Sequence, residues 1–164
     1  MRSFVRYKNM ISNMFTIEID NEVITDITTI DVHLLKCHEN VIQDKVNLLK
    51  QYLESLDNEI VISSIIVCNK TNTIIDGHHR FHALKQLGIS DIPVTYVNYL
   101  FNEIKPHTDD RITKEKILTS SLSGNLLPPK STKHLIFDKK YKLYKPIILI
   151  SSVYLLSKNQ NKIK

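Results

Sequence analysis

β-Branched residues alternate with polar ones at the start of the chain. The segments FTIEI, residues 15–19, and EVITDI, residues 22–27, predict two strands joined by a turn at residues 20–21. The alternation returns in TIDVHLL, residues 29–35, which predicts a further strand. The first part of the chain therefore has a β pattern.

The pattern changes after a polar break, KCHEN, at residues 36–40. Apolar residues then recur at helical spacing, which predicts an amphipathic helix over residues 41–56 with Asn40 as its N-cap. The β-branched run IVISSIIVC, residues 60–68, predicts one buried strand, and a second strand follows at residues 73–75.

A short helix is predicted next, with Phe81, Leu84 and Leu87 on one face and Gly88 as its C-cap. The run IPVTYVNYL, residues 92–100, predicts another strand. Strands and helices thus alternate, and the expected class is a mixed α/β fold in a single domain.

The last third of the chain is less regular. Residues 113–121 predict a helix capped by Thr113 and ended by Gly124. Two prolines place residues 125–134 in a loop, and residues 141–156 fit a strand or a short helix equally well.

Composition narrows the class of protein. The chain has 164 residues, of which 42% are hydrophobic and 24% charged, as expected for one globular domain. Its net charge of +5 favours anionic partners, nucleotides and nucleic acid alike. Two cysteines, Cys37 and Cys68, form no disulfide framework and favour a reducing, cytoplasmic location. A signal peptide and a membrane span are not indicated, because no apolar run is long enough.

The strongest candidates for a functional site are the five residues that directly follow the strand at 73–75: Asp76, Gly77, His78, His79 and Arg80. A strand that ends in Asp-Gly and opens into a helix can hold an anion, because the free N–H groups and the dipole of the helix point at it. The two histidines and the arginine add donors, and Arg80 can make two parallel bonds to a phosphate. The aspartate is a candidate ligand of Mg²⁺ on that phosphate.

Simpler interpretations of the same residues exist. Asp-Gly is a common turn, and a histidine near a helix start is often only a surface residue. A zinc site formed by Cys37, His38, His78 and His79 is an alternative, although these four residues have neither the CxxC nor the HxxxH spacing of many zinc sites. No GxxxxGK[ST] sequence occurs, so the chain has no Walker loop.

The segment IIDGHHRFHALKQLGISDIPVTYV, residues 74–97, resembles the phosphate-binding segment of the ParB/sulfiredoxin superfamily. Sulfiredoxins have a reactive cysteine where this chain has His78. ParB proteins have Gly-Glu-Arg-Arg and a helical DNA-binding domain, for which no helix-turn-helix pattern is found here. The free-serine kinases have Asp-Gly-His-His-Arg, as at residues 76–80.

Two further segments resemble the free-serine kinases, in the same order along the chain. KCHEN resembles their Lys-Pro-His-Glu segment, with Cys37 in place of proline, and the resemblance implies that Glu39 is the general base. PPKSTKH, residues 128–134, resembles their Pro-Lys-Thr-Thr-Arg-His segment, which binds the substrate. Here Lys133 replaces arginine, so a two-bond fork becomes a point charge.

The resemblance implies a ParB/sulfiredoxin-like mixed sheet with flanking helices. It also implies a phosphotransferase that makes O-phospho-L-serine from free L-serine, with Mg²⁺ and either ATP or ADP as the phosphate donor. The residues implied to bind or act are Glu39 and Asp76 in catalysis, residues 76–80 at the nucleotide, Asp76 at the metal, and His38, Lys130, Thr132, Lys133 and His134 at the substrate.

The expected organisation is N-terminal strands at 1–27, a catalytic domain at 28–136 and a C-terminal extension of the same domain at 137–164. The alternative function is a ParB-like regulatory module that binds nucleotide or DNA without turnover. The net charge favours that alternative slightly, whereas an acid at Glu39 beside bound phosphates argues against nucleic acid as a partner.

Overall fold

The most β-branched segments form a central four-stranded sheet. A computed structural model describes residues 17–107 and 111–158. The sheet consists of β1 (Ile24–Asp31), β3 (Ile65–Cys68), β4 (Ile74–Asp76) and β5 (Asp91–Val97), in the order β1-β5-β3-β4. The β3–β5 pair is parallel and the other two pairs are antiparallel, so the sheet is mixed.

Two smaller sheets accompany it. One pairs β2 (Glu59–Ser63) with β9 (Val153–Ser157), and the other contains β6 (Ile104–Pro106), β7 (His134–Asp138) and β8 (Leu143–Pro146). All their pairings are antiparallel. The helices are α1 (Gln43–Ser55), α2 (His78–Gln86) and α3 (Lys114–Ser123), with short 3-10 helices at Val32–Leu34 and Ile147–Ile150.

β3 lies inside the central sheet and is buried on both faces, which explains why it is apolar at every position. Ile65 and Val67 belong to a hydrophobic cluster that includes residues of α1 and α2. Ile66 and Cys68 point to the opposite face and pack with α3, β6, β7 and the second 3-10 helix. Full burial of one such aliphatic side chain contributes about 1.5–3 kcal/mol to stability. This packing stabilises the sheet that carries the pocket residues of β4.

Most of the predicted helix boundaries agree with the structure. The predicted helix over 41–56 is confirmed as α1, and Thr113 caps α3 by accepting a hydrogen bond from the Lys116 N–H, with Gly124 in the left-handed conformation after it. The C-cap of α2 is Leu87, one residue before the predicted Gly88.

The Asn40 cap is wrong. The N-cap of α1 is Ile42, which makes no side-chain cap bond. The segment before it is held extended by bridges of Lys36 to Thr73 and of Glu39 to Leu127, and the Asn40 N–H donates to the Leu127 carbonyl at 2.8 Å. Non-local pairing of this segment therefore delays the helix by two residues.

The predicted strand over 60–68 is two strands in different sheets. The break is at Ser64, whose Oγ lies 2.7 Å from the Thr95 Oγ1 and accepts a hydrogen bond from the Ser152 N–H at 2.8 Å. The ladder changes partner there, from β9 to β5. This break leaves the carbonyls of Ser63 and Ser64 available to a side chain from α2.

The structure near both ends of the described chain also differs from the elements that the sequence pattern predicts. Residues 17–19 form no strand, and Phe15 and Thr16 lie outside the described residues. The ambiguous stretch 141–156 contains both a strand and a short helix, β8 and the second 3-10 helix, before β9. The limits proposed at residues 28 and 136 fall within β1 and β7, and that division of the chain stays a prediction.

None of the described helices could cross a membrane, since α1, with 13 residues, is the longest of them and carries charged side chains.

Candidate active site

A pocket of about 330 Å³ lies where β4 ends and α2 begins. Its volume is at the lower end of the range of small-molecule sites. Most of its walls come from the three segments singled out in the sequence, and Ile148 comes from the second 3-10 helix. The lining residues are Glu39, Ile75, Asp76, Gly77, His78, His79, Arg80, Lys130, Thr132, Lys133, His134 and Ile148.

Gly77 shapes the start of α2. It is the N-cap, with φ 108° and ψ 23°, a conformation that side-chain-bearing residues rarely adopt. A Cβ at this position would lie 2.9 Å from the Arg80 Nη2, so the glycine also makes room for the guanidinium. The first N–H groups of α2 have no partner within the helix, and they are donors for an anion in the pocket.

Arg80 is held differently from the expectation that it binds a phosphate with both arms. Its Nη2 donates to the Asp76 Oδ2 at 2.6 Å, and its Nη1 donates to the carbonyls of Ser63 and Ser64 at 3.3 and 3.2 Å. These contacts use both ends of the guanidinium fork. Arg80 therefore fixes the turn and adds positive charge, whereas two parallel phosphate bonds would require it to leave its partners.

Asp76 is the carboxylate available to a metal ion. Burial raises its pKa, and the Arg80 guanidinium acts in the opposite direction. Arg80 bonds one carboxylate oxygen, so Asp76 has a second oxygen to offer a cation. One carboxylate is sufficient for Mg²⁺ that arrives on nucleotide phosphates, since Mg²⁺ is usually held by one or two carboxylates together with phosphate oxygens.

Within residues 17–107 and 111–158, no three His, Cys, Asp or Glu side chains are grouped to hold a metal, and this finding argues against the zinc alternative. The Cys37 Sγ lies 3.6 Å from the His82 Nε2, and burial raises the pKa of this thiol to about 11. Cys37 is therefore a protonated, packed side chain.

His38 and His134 are both buried, His134 at the pocket lining, and each ring bonds to other protein groups. The His38 Nδ1 lies 2.7 Å from the Ile74 carbonyl oxygen and its Nε2 lies 2.7 Å from the Thr132 Oγ1. The His134 Nε2 lies 2.9 Å from the Tyr99 hydroxyl, and the His134 ring also bonds the Ile75 carbonyl. A ring nitrogen of either histidine would have to leave its present partner to contact a substrate, and the expected substrate contacts stay a prediction.

His78 connects His38 to Glu39. Its Nε2 accepts the His38 backbone N–H at 3.3 Å, so in the neutral ring the hydrogen is on Nδ1. That Nδ1 lies 3.7 Å from the Glu39 Oε1. Burial lowers the pKa of His78 well below its ordinary value, and the neighbouring histidines lower it further. His78 thus acts as a neutral neighbour of the carboxylate.

Glu39 is enclosed by the 128–134 loop. Its Oε2 accepts the Thr132 hydroxyl at 2.9 Å and the Thr132 backbone N–H at 3.3 Å, and the Lys130 backbone N–H also donates to the carboxylate. Only 6% of the residue surface is exposed. Burial raises the pKa of Glu39 and these hydrogen bonds oppose the rise, so the carboxylate combines a fixed orientation with a raised proton affinity.

Cationic side chains surround the opening of the pocket. The backbone N–H of Ile42 donates to the His79 Nε2 at 3.2 Å, which leaves Nδ1–H of the neutral ring as a donor. Lys130 and Lys133 are exposed and line the pocket. Lys45 of α1, which sequence reasoning missed, meets the Lys130 side chain, and this contact lowers the pKa of Lys45. Two ammonium groups so close together favour an anion between them.

Sequence reasoning also missed Ile148 and Tyr99. Ile148 lies beyond residue 137, in a segment that matches no motif, and Tyr99 is remote in sequence from the His134 that it bonds. No local signal marks either residue. Lys45 is an ordinary surface lysine in the helical pattern, and only the fold brings it to Lys130.

Three curated relatives resemble part of this chain. A ParB-like protein of Sulfolobus acidocaldarius is 33% identical over 78 residues, which are 48% of this chain and 38% of that protein. ATP-dependent L-serine kinases of Staphylothermus marinus and Desulfurococcus mucosus are 30% and 33% identical over 82 residues, which are 48% of this chain and 32% of each kinase. The chain thus spans about a third of the length of the relatives it matches. No protein-family model matches the chain.

A solved structure supports the fold. A free serine kinase in complex with AMP superimposes with a TM-score of 0.61 at 13% identity, over 75% of this chain and 91% of that one. The expected ParB/sulfiredoxin-like architecture is therefore confirmed. This chain has the fold of a free serine kinase, and about half of its sequence is related to the ATP-dependent L-serine kinases and to a ParB-like protein.

Proposed function

We propose that this protein phosphorylates the hydroxyl group of free L-serine, with ATP or ADP as the phosphate donor, Mg²⁺ as the cofactor and Glu39 as the general base. One observation carries the proposal. A buried carboxylate with a raised pKa faces the same pocket as the start of α2 and a group of cations. This arrangement places a proton acceptor beside an anion site, which is what transfer of a phosphoryl group to an alcohol requires.

The phosphate donor is bound by the turn at residues 76–80 in this proposal. The N–H groups at the start of α2 and the Nδ1–H of His79 donate to its phosphate oxygens, and Lys130 and Lys45 neutralise their charge. Mg²⁺ would be held by Asp76 and the phosphates, and when bound it withdraws charge from the transferred group. The two ATP-dependent kinases among the relatives support a nucleotide donor.

The acceptor serine is bound on the loop side of the pocket. Lys133, whose side chain is exposed at the pocket, binds the serine carboxylate. Thr132 and His134 contribute indirectly, because Thr132 bonds Glu39 and His134 bonds Tyr99. Glu39 takes the hydroxyl proton as the serine oxygen attacks phosphorus and the bond to the leaving nucleotide oxygen breaks. A positioned base typically contributes ~10²–10⁴-fold to such a rate.

Replacing Glu39 by Gln tests the base. The amide keeps the shape of the side chain but cannot accept the proton, so kcat for phosphoserine formation falls by ~10²–10⁴-fold while nucleotide affinity stays within a few-fold. The assay incubates the protein with serine, Mg²⁺ and ATP or ADP and detects O-phosphoserine. Glu59→Gln is the matched control, since Glu59 is exposed on β2. A Glu39→Gln variant with kcat near that of the parent would contradict the role of Glu39.

The same assay separates the kinase from a ParB-like regulatory module. Nucleotide binding without phosphoserine formation, together with DNA binding that weakens steeply between two salt concentrations, would favour the module. We further propose a cytoplasmic location, because both cysteines, Cys37 and Cys68, are free thiols.

A further inference from the structure

A chain of three hydrogen bonds runs from the pocket into the protein interior. It joins the Glu39 Oε2 to the Thr132 Oγ1 at 2.9 Å, the Thr132 Oγ1 to the His38 Nε2 at 2.7 Å, and the His38 Nδ1 to the Ile74 carbonyl oxygen at 2.7 Å. His38 has no exposed surface. The His38 ring therefore has to satisfy its donor and its acceptor within the protein.

The hydrogens can be assigned from the inner end. A carbonyl oxygen only accepts, so the His38 Nδ1 carries a hydrogen and, in the neutral ring, Nε2 carries a lone pair. Burial lowers the pKa of His38 to about 4, which agrees with a neutral ring at pH 7. The Nε2 lone pair is therefore an acceptor for the Thr132 hydroxyl.

The ionised carboxylate of Glu39 is a second acceptor for the same hydroxyl hydrogen. Thr132 has one hydroxyl hydrogen, and it can point to Glu39 or to His38 but not to both. While Glu39 is ionised, its charge competes for the hydrogen and the buried His38 lone pair loses its donor. Once the Glu39 Oε2 holds a proton, it can donate that proton to the Thr132 Oγ1, and the Thr132 hydrogen can turn to the His38 Nε2, so both contacts are satisfied.

We propose that His38 is a positioning residue that makes Glu39 a stronger base, by accepting the Thr132 hydroxyl hydrogen when Glu39 takes up a proton. The inference deepens the proposed function, since it rests on Glu39 as the base. When the hydroxyl proton of the acceptor moves to Glu39, the Thr132 O–H turns from the Glu39 Oε2 to the His38 Nε2. No proton is lost or gained by His38, and the Thr132 backbone N–H still donates to Glu39.

Other titratable groups lie near Glu39 and His38, and they are the same in all the variants below. Asp76 raises the proton affinity of Glu39 from β4, and His78 lies beside Glu39 at the start of α2. The rings of His78 and His134 lie 4.5 and 5.8 Å from that of His38, centroid to centroid. A double-variant comparison cancels their contribution, because they are unchanged in each pair.

The test measures the pKa of the Glu39 carboxyl by ¹³C NMR in the nucleotide-free protein. His38→Asn keeps an amide donor near the Ile74 carbonyl and removes the acceptor at the Nε2 position. We expect this variant to lower the proton affinity of Glu39 about ten-fold, the size of one net hydrogen bond. His33→Asn is the matched control, since His33 is exposed and remote from the pocket.

The decisive comparison repeats His38→Asn in a Thr132→Val background, in which the connecting hydroxyl is missing. We expect no effect of His38→Asn on Glu39 there, whereas in a Thr132→Ser background the ten-fold effect returns. A His38 that only supports the packing would change the Glu39 pKa equally with and without the hydroxyl, and this result would overturn the proposal. An unchanged pKa in every background would overturn it as well.

A second variant and a kinetic measurement complete the test. His38→Gln places an amide oxygen near the Nε2 position and should keep the Glu39 pKa close to that of the parent, so the proposal remains testable if the Asn variant unfolds. In turnover, His38→Asn should lower kcat by at most ten-fold and leave the KM for nucleotide unchanged. If phosphoserine is never formed but the NMR coupling is present, the proposed function fails while the His38–Glu39 coupling stands.

Discussion

Gly77→Ala tests how the start of α2 is built. At φ 108° an alanine is strained, and its Cβ would lie 2.9 Å from the Arg80 Nη2. The backbone strain costs about 1–2 kcal/mol. Displacing Arg80 weakens its bond to Asp76, which costs about a further 1–2 kcal/mol because the aspartate is partly screened by solvent. The total is about 2–4 kcal/mol.

Gly88→Ala and Gly124→Ala are matched controls. Both glycines have a positive φ, of 76° and 75°, but a Cβ at either position would meet no atom within 4 Å. These variants therefore pay only the backbone strain, about 1–2 kcal/mol. The comparison separates the strain of the turn from the displacement of Arg80.

Urea denaturation with a common m-value measures the three free energies of unfolding, and nucleotide titration measures affinity. We expect Gly77→Ala to be the least stable and to lose at least ten-fold in nucleotide affinity, with both controls near the parent in affinity. Equal stability and equal affinity for Gly77→Ala and Gly88→Ala would refute the packing of Arg80 over the glycine.

Three further predictions follow from the site. Asp76→Asn should weaken nucleotide binding several-fold with Mg²⁺ and much less without it, and an equal loss in both titrations would contradict the metal role. Lys133→Ala should raise the KM for serine at least several-fold and leave the KM for nucleotide almost unchanged. Lys133→Arg should keep or improve serine affinity. If serine kinetics are unchanged in Lys133→Ala, Lys133 is only a surface charge. Burial lowers the pKa of His134 to about 3 in the folded protein. Between pH 6.5 and pH 3 the unfolded chain therefore binds a proton at this residue that the folded protein does not bind. Stability consequently falls as the pH falls through this range. From pH 6.5 to 5 this group alone costs about 2 kcal/mol, and His134→Asn should lose correspondingly less stability over that interval in denaturation curves at the two pH values.

Local signals in the sequence determined much of the fold. The cap at Thr113 and the helical spacing of α1 each depend on residues close together in the chain, and each is confirmed. The β-branched density of residues 60–68 correctly predicted extended structure but not its division into two strands. The sequence also brought together the turn at 76–80, Glu39 and the 128–134 loop as one expected site, and the structure places residues of all three around one pocket. Their roles in the reaction stay predictions.

Tertiary structure decided which partner each group meets. The break of the 60–68 segment at Ser64 depends on Thr95 and Ser152, which are distant in sequence, and the same break provides the carbonyls that Arg80 binds. The ring of His38 is likewise committed by Thr132, which lies 94 residues away. A residue type specifies how many hydrogen bonds a side chain can make, but only non-local packing decides which of them are already taken, and therefore which donors remain for a ligand.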